Sequence, residues 1–106
     1  MNKTPQEITA KELKKSYLGT EYVLLDVRTP SEVKQEKVEH PNYKHIDIYS
    51  RRFKDKVKTL DADKKHLILC RSGSRSRIAQ KILKDQGIES INIKDGMKGW
   101  KNLPNT

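Results

Sequence analysis

The sequence predicts an α/β fold, a small parallel β-sheet flanked by helices on both faces. Two observations lead there. Val23–Val27 (VLLDV) and Leu67–Cys70 (LILC) are near-continuous apolar runs, the pattern of strands buried on both faces of a parallel sheet. Amphipathic stretches with helix start and stop signals separate the strand candidates. Strands joined through helices form parallel sheets by right-handed crossovers.

Each element has its own signals. Glu7–Thr9 reads as a short first strand on weak evidence. Thr9-Ala10-Lys11-Glu12 fits a capping box, and Gly19 can close the helix that it opens. After Val23–Val27, Thr29-Pro30-Ser31-Glu32 supplies a cap, a proline at the first helical position and a glutamate at the third. Ile46–Ile48 is the next strand candidate. Ser50 then stands where it could cap a helix with Phe53, Val57 and Leu60 on one face. Leu67–Cys70 is followed by a helix from about Ser74 to Gln86 that should bury Ile78, Ala79, Ile82 and Leu83 and stop at Gly87. Ile91–Ile93 is the last strand, and a short helix holding Met97 and Trp100 ends the pattern. No linker, repeat or low-complexity tract divides the chain, so residues 1–106 are expected to form one domain.

Composition narrows the function classes. Charged residues make up 35% of the 106-residue chain and hydrophobic residues 33%, so the core must be compact. Lysine and arginine outnumber aspartate and glutamate by 23 to 14, a net charge of +9 that favours anionic partners without identifying them. The first residues contain no apolar signal-like region, and no run of the chain could span a bilayer. A cytoplasmic location and no membrane partner are the resulting expectations. The one cysteine, Cys70, leaves no internal disulfide and no cysteine-rich zinc site. His40, His45 and His66 have no dense ligand set beside them and read as surface or strand-edge residues, so no metal is expected.

One edge of the predicted sheet gathers the chemistry. Asp26 and Cys70 both fall at or near the carboxyl end of a strand, where open α/β sheets bind ligands. After Cys70 the chain reads Arg71-Ser72-Gly73-Ser74-Arg75-Ser76, a polar loop that opens a helix. Gly73 lets successive N–H groups turn inward, and the helix adds its free N-terminal N–H groups. A free thiol with pKa ~8.5 is only a few per cent ionised at neutral pH. Lowering that pKa by two units takes roughly 2.7 kcal/mol, while a helix terminus contributes ~0.3–1 kcal/mol. Loop N–H groups with Arg71 or Arg75 must supply the rest, and together they make the environment of a reactive thiolate. A buried structural cysteine would need no such polar cradle.

Three segments resemble the single-domain rhodaneses, a sulfurtransferase family: Asp26-Val27-Arg28-Thr29-Pro30-Ser31-Glu32, Cys70-Arg71-Ser72-Gly73-Ser74-Arg75-Ser76 and Gly96-Met97-Lys98-Gly99-Trp100. With the order of elements, the likeness covers almost the whole chain. The second segment is highly specific, the first moderately so, and the third weak alone. The resemblance implies that Cys70 attacks the outer sulfur of a donor such as thiosulfate and holds it as a persulfide. An external thiol, cyanide or a protein then accepts that sulfur, with no cofactor. It implies that Arg71, Ser72, Gly73, Ser74 and Arg75 form the persulfide- and substrate-binding loop, and that the Arg71 side chain draws in a small anionic donor. Asp26, Arg28 and Ser76 become supporting residues behind the loop. Residues 33–46 depart from the family's Gly-His-Ile-Pro-Gly-Ala-like stretch, so the donor or partner surface there is expected to differ.

Two other classes stay in view. Cysteine-dependent phosphatases and arsenate reductases also use a thiolate in an N–H-lined loop, with five residues between cysteine and arginine. Here that position is Ser76, and the arginines fall at Arg75 and Arg77. A non-catalytic docking or sulfur-carrier module would keep the fold without turnover. The basic stretch Arg51, Arg52, Lys54, Lys56, Lys58, Lys64 and Lys65 is interrupted by Asp55, Asp61 and Asp63 and offers only Phe53 for stacking. It reads as a solvated face, with no specific nucleic-acid partner.

Overall fold

The computed structural model describes residues 4–104. In chain order its elements are β1 (Glu7–Ile8), α1 (Ala10–Glu12), β2 (Val23–Asp26), α2 (Pro30–Gln35), β3 (Tyr43–His45), α3 (Phe53–Val57), β4 (His66–Leu69), α4 (Ser74–Asp85), β5 (Ser90–Ile93) and α5 (Gly96–Lys101). Both capping boxes form. Thr9 and Thr29 each accept from the N–H of the glutamate three residues on, which reaches back to the threonine N–H. Past α1 the chain widens into a π-helical stretch, Leu13–Tyr17, where Leu18 N–H donates to Leu13 O at 3.1 Å. That turn sets Leu13, Tyr17 and Leu18 against one core.

The strands pair in the order β1-β5-β4-β2-β3, and every pair is parallel. Period-two alternation divides the core between the two faces of the sheet. Leu24, Leu67, Leu69, Ile91 and Ile93 pack with Ala10, Leu13 and Met97 on one face. Leu25, Val27, Ile68 and Cys70 pack with Phe53, Val57, Ala79 and Leu83 on the other.

Four expectations are corrected. The strand expected at Ile46–Ile48 is β3, Tyr43–His45, placed by register with β2 (Leu24 opposite Tyr43, Asp26 opposite His45). As an edge strand it tolerates Lys44 and His45, while Ile46 and Ile48 run beyond it to pack on the second core cluster. Ile78 is not buried but 59% exposed. The buried stripe of α4 is Ser76, Ala79 and Leu83, which leaves Ile78 about 100° round the helix. Ser50 does not cap α3; its Oγ accepts from Arg52 N–H in the turn before the helix. His66 is fully buried at the start of β4. His40 is also buried, with Nε2–H donating to Tyr22 O at 2.6 Å and Nδ1 accepting from Gly19 N–H.

Candidate active site

Parallel pairing of β2 with β4 sets Asp26 opposite Leu69, so Asp26 and Cys70 leave the sheet along the same carboxyl edge. From Cys70 the backbone turns through Gly73, whose φ of 95° lies in the left-handed region. A side chain there is excluded twice, because a Cβ on Gly73 would sit 2.1 Å from Lys94 O.

The direction of the loop amides follows from where its carbonyls are tied. Met97 N–H donates to Cys70 O and Lys98 N–H to Arg71 O, both at 2.9 Å, so the first turn of α5 holds these two carbonyls. Gly73 O accepts from Arg77 N–H and from Asn92 Nδ2 at 3.2 Å. With the carbonyls held away from the sulfur, the loop amides can face it. Gly73 N–H donates to Cys70 Sγ at 3.0 Å, and Ser76 Oγ stands 3.3 Å from it. Burial pushes the Cys70 thiol up. Hydrogen bonds from the Ser76 hydroxyl and from the N–H groups of Ser76, Gly73 and Ser72 outweigh it, and the thiol lies below its ordinary value. Donors of this kind suit an anionic sulfur.

The residues expected at the site divide into four groups. Cys70, Gly73 and Ser76 are buried together, while Arg71, Ser72 and Ser74 are exposed at the rim. Arg71 lines a pocket of about 200 Å³ with Arg28, Glu32, Gln35, Met97 and Lys101. Arg75 is engaged elsewhere, in a bidentate pair with Glu32 at 2.7 and 2.8 Å. That pair holds the Glu32 carboxyl down to about 2, mainly through the arginine's hydrogen bonds. Asp26 and Arg28 form a buried ion pair at 2.7 Å. Tyr43 Oη donates to Asp26 Oδ2, and Arg28 donates to Glu32 O and Glu36 O. Their hydrogen bonds therefore run to β3 and α2; among the described residues none reaches the Cys70 loop.

Two contributors escaped sequence reasoning as site residues. The local sequence signal of Glu32 is that of a helix cap, but the carboxylate that caps α2 also clamps Arg75. Asn92 is fully buried and accepts a short hydrogen bond from Ser76 Oγ. Its signal was available, since a polar residue between Ile91 and Ile93 in a strand covered on both faces must find partners inside.

The chain is similar in sequence and fold to known proteins. Residues 9–103 match the family model described as a Rhodanese-like domain. YtwF of Bacillus subtilis (strain 168), provisionally named a sulfurtransferase, is 36% identical over 97 residues, covering 91% of this chain and 90% of that one. A rhodanese-like domain protein from Staphylococcus aureus superposes with a TM-score of 0.78 at 29% identity, over 90% of each chain. A rhodanese-related protein from Thermoplasma volcanium gives 0.79 at 29% identity, over 93% of this chain and 95% of the other.

Proposed function

The chain belongs to the rhodanese-like family, and from that premise we propose that it is a sulfurtransferase whose Cys70 carries the sulfur as a persulfide. The supporting observation is the Cys70 loop, with Gly73 N–H at 3.0 Å from Sγ and the loop carbonyls tied to α5 and Asn92. In the first half-reaction the Cys70 thiolate attacks the outer sulfur of a donor such as thiosulfate. The donor's sulfur–sulfur bond breaks, and sulfite leaves with the electron pair. The new terminal sulfur is anionic, and oriented N–H groups stabilise it without reorganising. In the second half-reaction an acceptor thiolate, cyanide or a protein cysteine attacks that sulfur. The bond to Sγ breaks and its electron pair returns to Cys70 as thiolate.

Arg71, beside Lys101 in the adjoining pocket, is placed to draw in the anionic donor. Oxyanion chemistry of the phosphatase kind is disfavoured because the arginines fall one residue either side of the required position: Arg75 spends both ends of its guanidinium on Glu32, and Arg77 is exposed beside Glu7. We take residues 1–106 to act as one domain in the cytoplasm; no helix among the described residues is long and apolar enough to cross a membrane.

Steady-state kinetics test the scheme. Thiosulfate varied against cyanide should give parallel double-reciprocal lines, because two half-reactions share one nucleophile. Intersecting lines would mean that both substrates bind together and would refute a covalent carrier. Absence of turnover with thiosulfate, polysulfide and a protein persulfide alike would favour the docking module.

A further inference from the structure

A buried chain of polar groups runs behind Cys70, and its protons can be counted. Asn92 lies on the face of β5 opposite Ile91 and Ile93, which turns it toward α4. Nδ2 donates to Gly73 O at 3.2 Å, so the amide orientation is fixed and Oδ1 can only accept. Ser76 Oγ has one proton and two acceptors within reach, Asn92 Oδ1 and Cys70 Sγ at 3.3 Å. Cys70, Ser76 and Asn92 are all fully buried, so water is not at hand to replace a missing partner.

Three states of the cysteine, thiol, persulfide and thiolate, differ in what they ask of that one proton. In the thiol, Cys70 S–H donates to Ser76 Oγ, Ser76 O–H donates to Asn92 Oδ1, and every group is satisfied. In a persulfide, Sγ is a neutral bridging atom and the hydroxyl can stay on Asn92. In the thiolate, Sγ and Asn92 Oδ1 both need the serine proton. We propose that Asn92 is a positioning residue that competes with the Cys70 thiolate for the hydroxyl of Ser76. It thereby holds the free cysteine nearer its thiol form than the loop amides and an uncontested Ser76 hydroxyl would, and makes it a more reluctant leaving group from the persulfide. The consequence for transfer rests on the persulfide reading; the consequence for ionisation does not.

Among the described residues, none of the other charged groups around Cys70 hydrogen-bonds to the side chains of Ser76 or Asn92. Arg75 of α4 is paired with Glu32 of α2, and Asp26 at the end of β2 is paired with Arg28 just past it. Asp95, between β5 and α5, accepts from Ala10 N–H at 2.7 Å. Lys94 approaches the loop through its backbone at Gly73, and Arg71 is exposed at the rim.

Because Cys70 is the only cysteine, the ultraviolet absorbance of its thiolate, measured against pH on reduced protein with Cys70→Ser as the blank, reads this site alone. Asn92→Ala should free the serine hydroxyl for the thiolate and lower the midpoint by about one pH unit, the size of one charge-assisted hydrogen bond. The same substitution made with Ser76→Ala should leave the midpoint where Ser76→Ala alone puts it. A loosened loop would do the opposite, raising the midpoint through lost amide donors. An unchanged or raised midpoint in folded Asn92→Ala, or a fall that persists without Ser76, would overturn the proposal. Should Asn92→Ala fail to fold, Asn92→Asp keeps the size of the side chain. It should raise the midpoint, and less so when Ser76 is absent; an undiminished rise would overturn the proposal equally. These titrations need no sulfur transfer, so they stand apart from any failure of the transferase reading.

Discussion

Replacing Gly73 with alanine imposes two loads on the Cys70 loop, and Gly19 allows them to be separated. The first load is conformational. At a φ of 95° an alanine costs about 1–2 kcal/mol. Gly19, at 78°, carries a similar cost and nothing else, because a Cβ there meets no atom within 4 Å. The second load belongs to Gly73 alone: its Cβ would stand 2.1 Å from Lys94 O, so strand β5 and the loop must separate by about an ångström. Forcing groups apart in a packed interior costs about 1–3 kcal/mol. Gly73→Ala should therefore lose about 2–5 kcal/mol and Gly19→Ala about 1–2. At about 4–8 °C of Tm per kcal/mol for a chain of this size, thermal unfolding resolves the difference. The shift should also draw Gly73 N–H away from Sγ and raise the midpoint of thiolate formation, whereas Gly19→Ala leaves it untouched. Equal losses of stability in the two variants, with equal thiolate midpoints, would refute the close-approach reasoning.

Other expectations follow from the same geometry. Asp26→Asn leaves Arg28 buried without its counter-charge and should cost about 3–5 kcal/mol, while Tyr43→Phe, losing one hydrogen bond to Asp26, should cost about 1–2; denaturant midpoints distinguish them. Glu32 has its carboxyl depressed from 4.5 to about 2, so its stabilising contribution, reduced by solvent screening, is complete above pH 4.5 and lost as pH falls toward 2. Glu32→Gln should flatten that part of the acid-unfolding profile. His66 is held neutral by burial, its pKa lowered, so the unfolded chain takes up the proton first and stability falls as pH drops below about 6.5; His66→Gln should remove that slope. Arg71→Ala should raise KM for thiosulfate more than it lowers kcat, and unchanged kinetics would remove Arg71 from donor capture.

The parts of the fold legible in the sequence are those where one local signal decides. Thr9 and Thr29 carry complete capping boxes, and both form. The VLLD and LIL runs are buried on both faces and could only be central strands, so the juxtaposition of Asp26 with Cys70 followed from them. β3 was displaced because an edge strand is chosen by register with β2, and Tyr43–His45 has no apolar pattern to announce it. Ile78 was misplaced because an apolar residue beside the buried stripe of a short helix looks like part of it. At the site, the Cys70 loop was visible because its residues are contiguous. Glu32 with Arg75 and Asn92 with Ser76 are separated by 43 and 16 positions, and only the packing of α2 and β5 around the loop brings them together.

The most direct test of the central claim is the intact mass of the purified protein after incubation with thiosulfate, with and without a reductant. The account predicts one added sulfur on the wild type, removed by the reductant and absent from Cys70→Ser. A wild-type mass that stays unchanged with thiosulfate, polysulfide and protein persulfide donors, or an added sulfur that persists in Cys70→Ser, would contradict it.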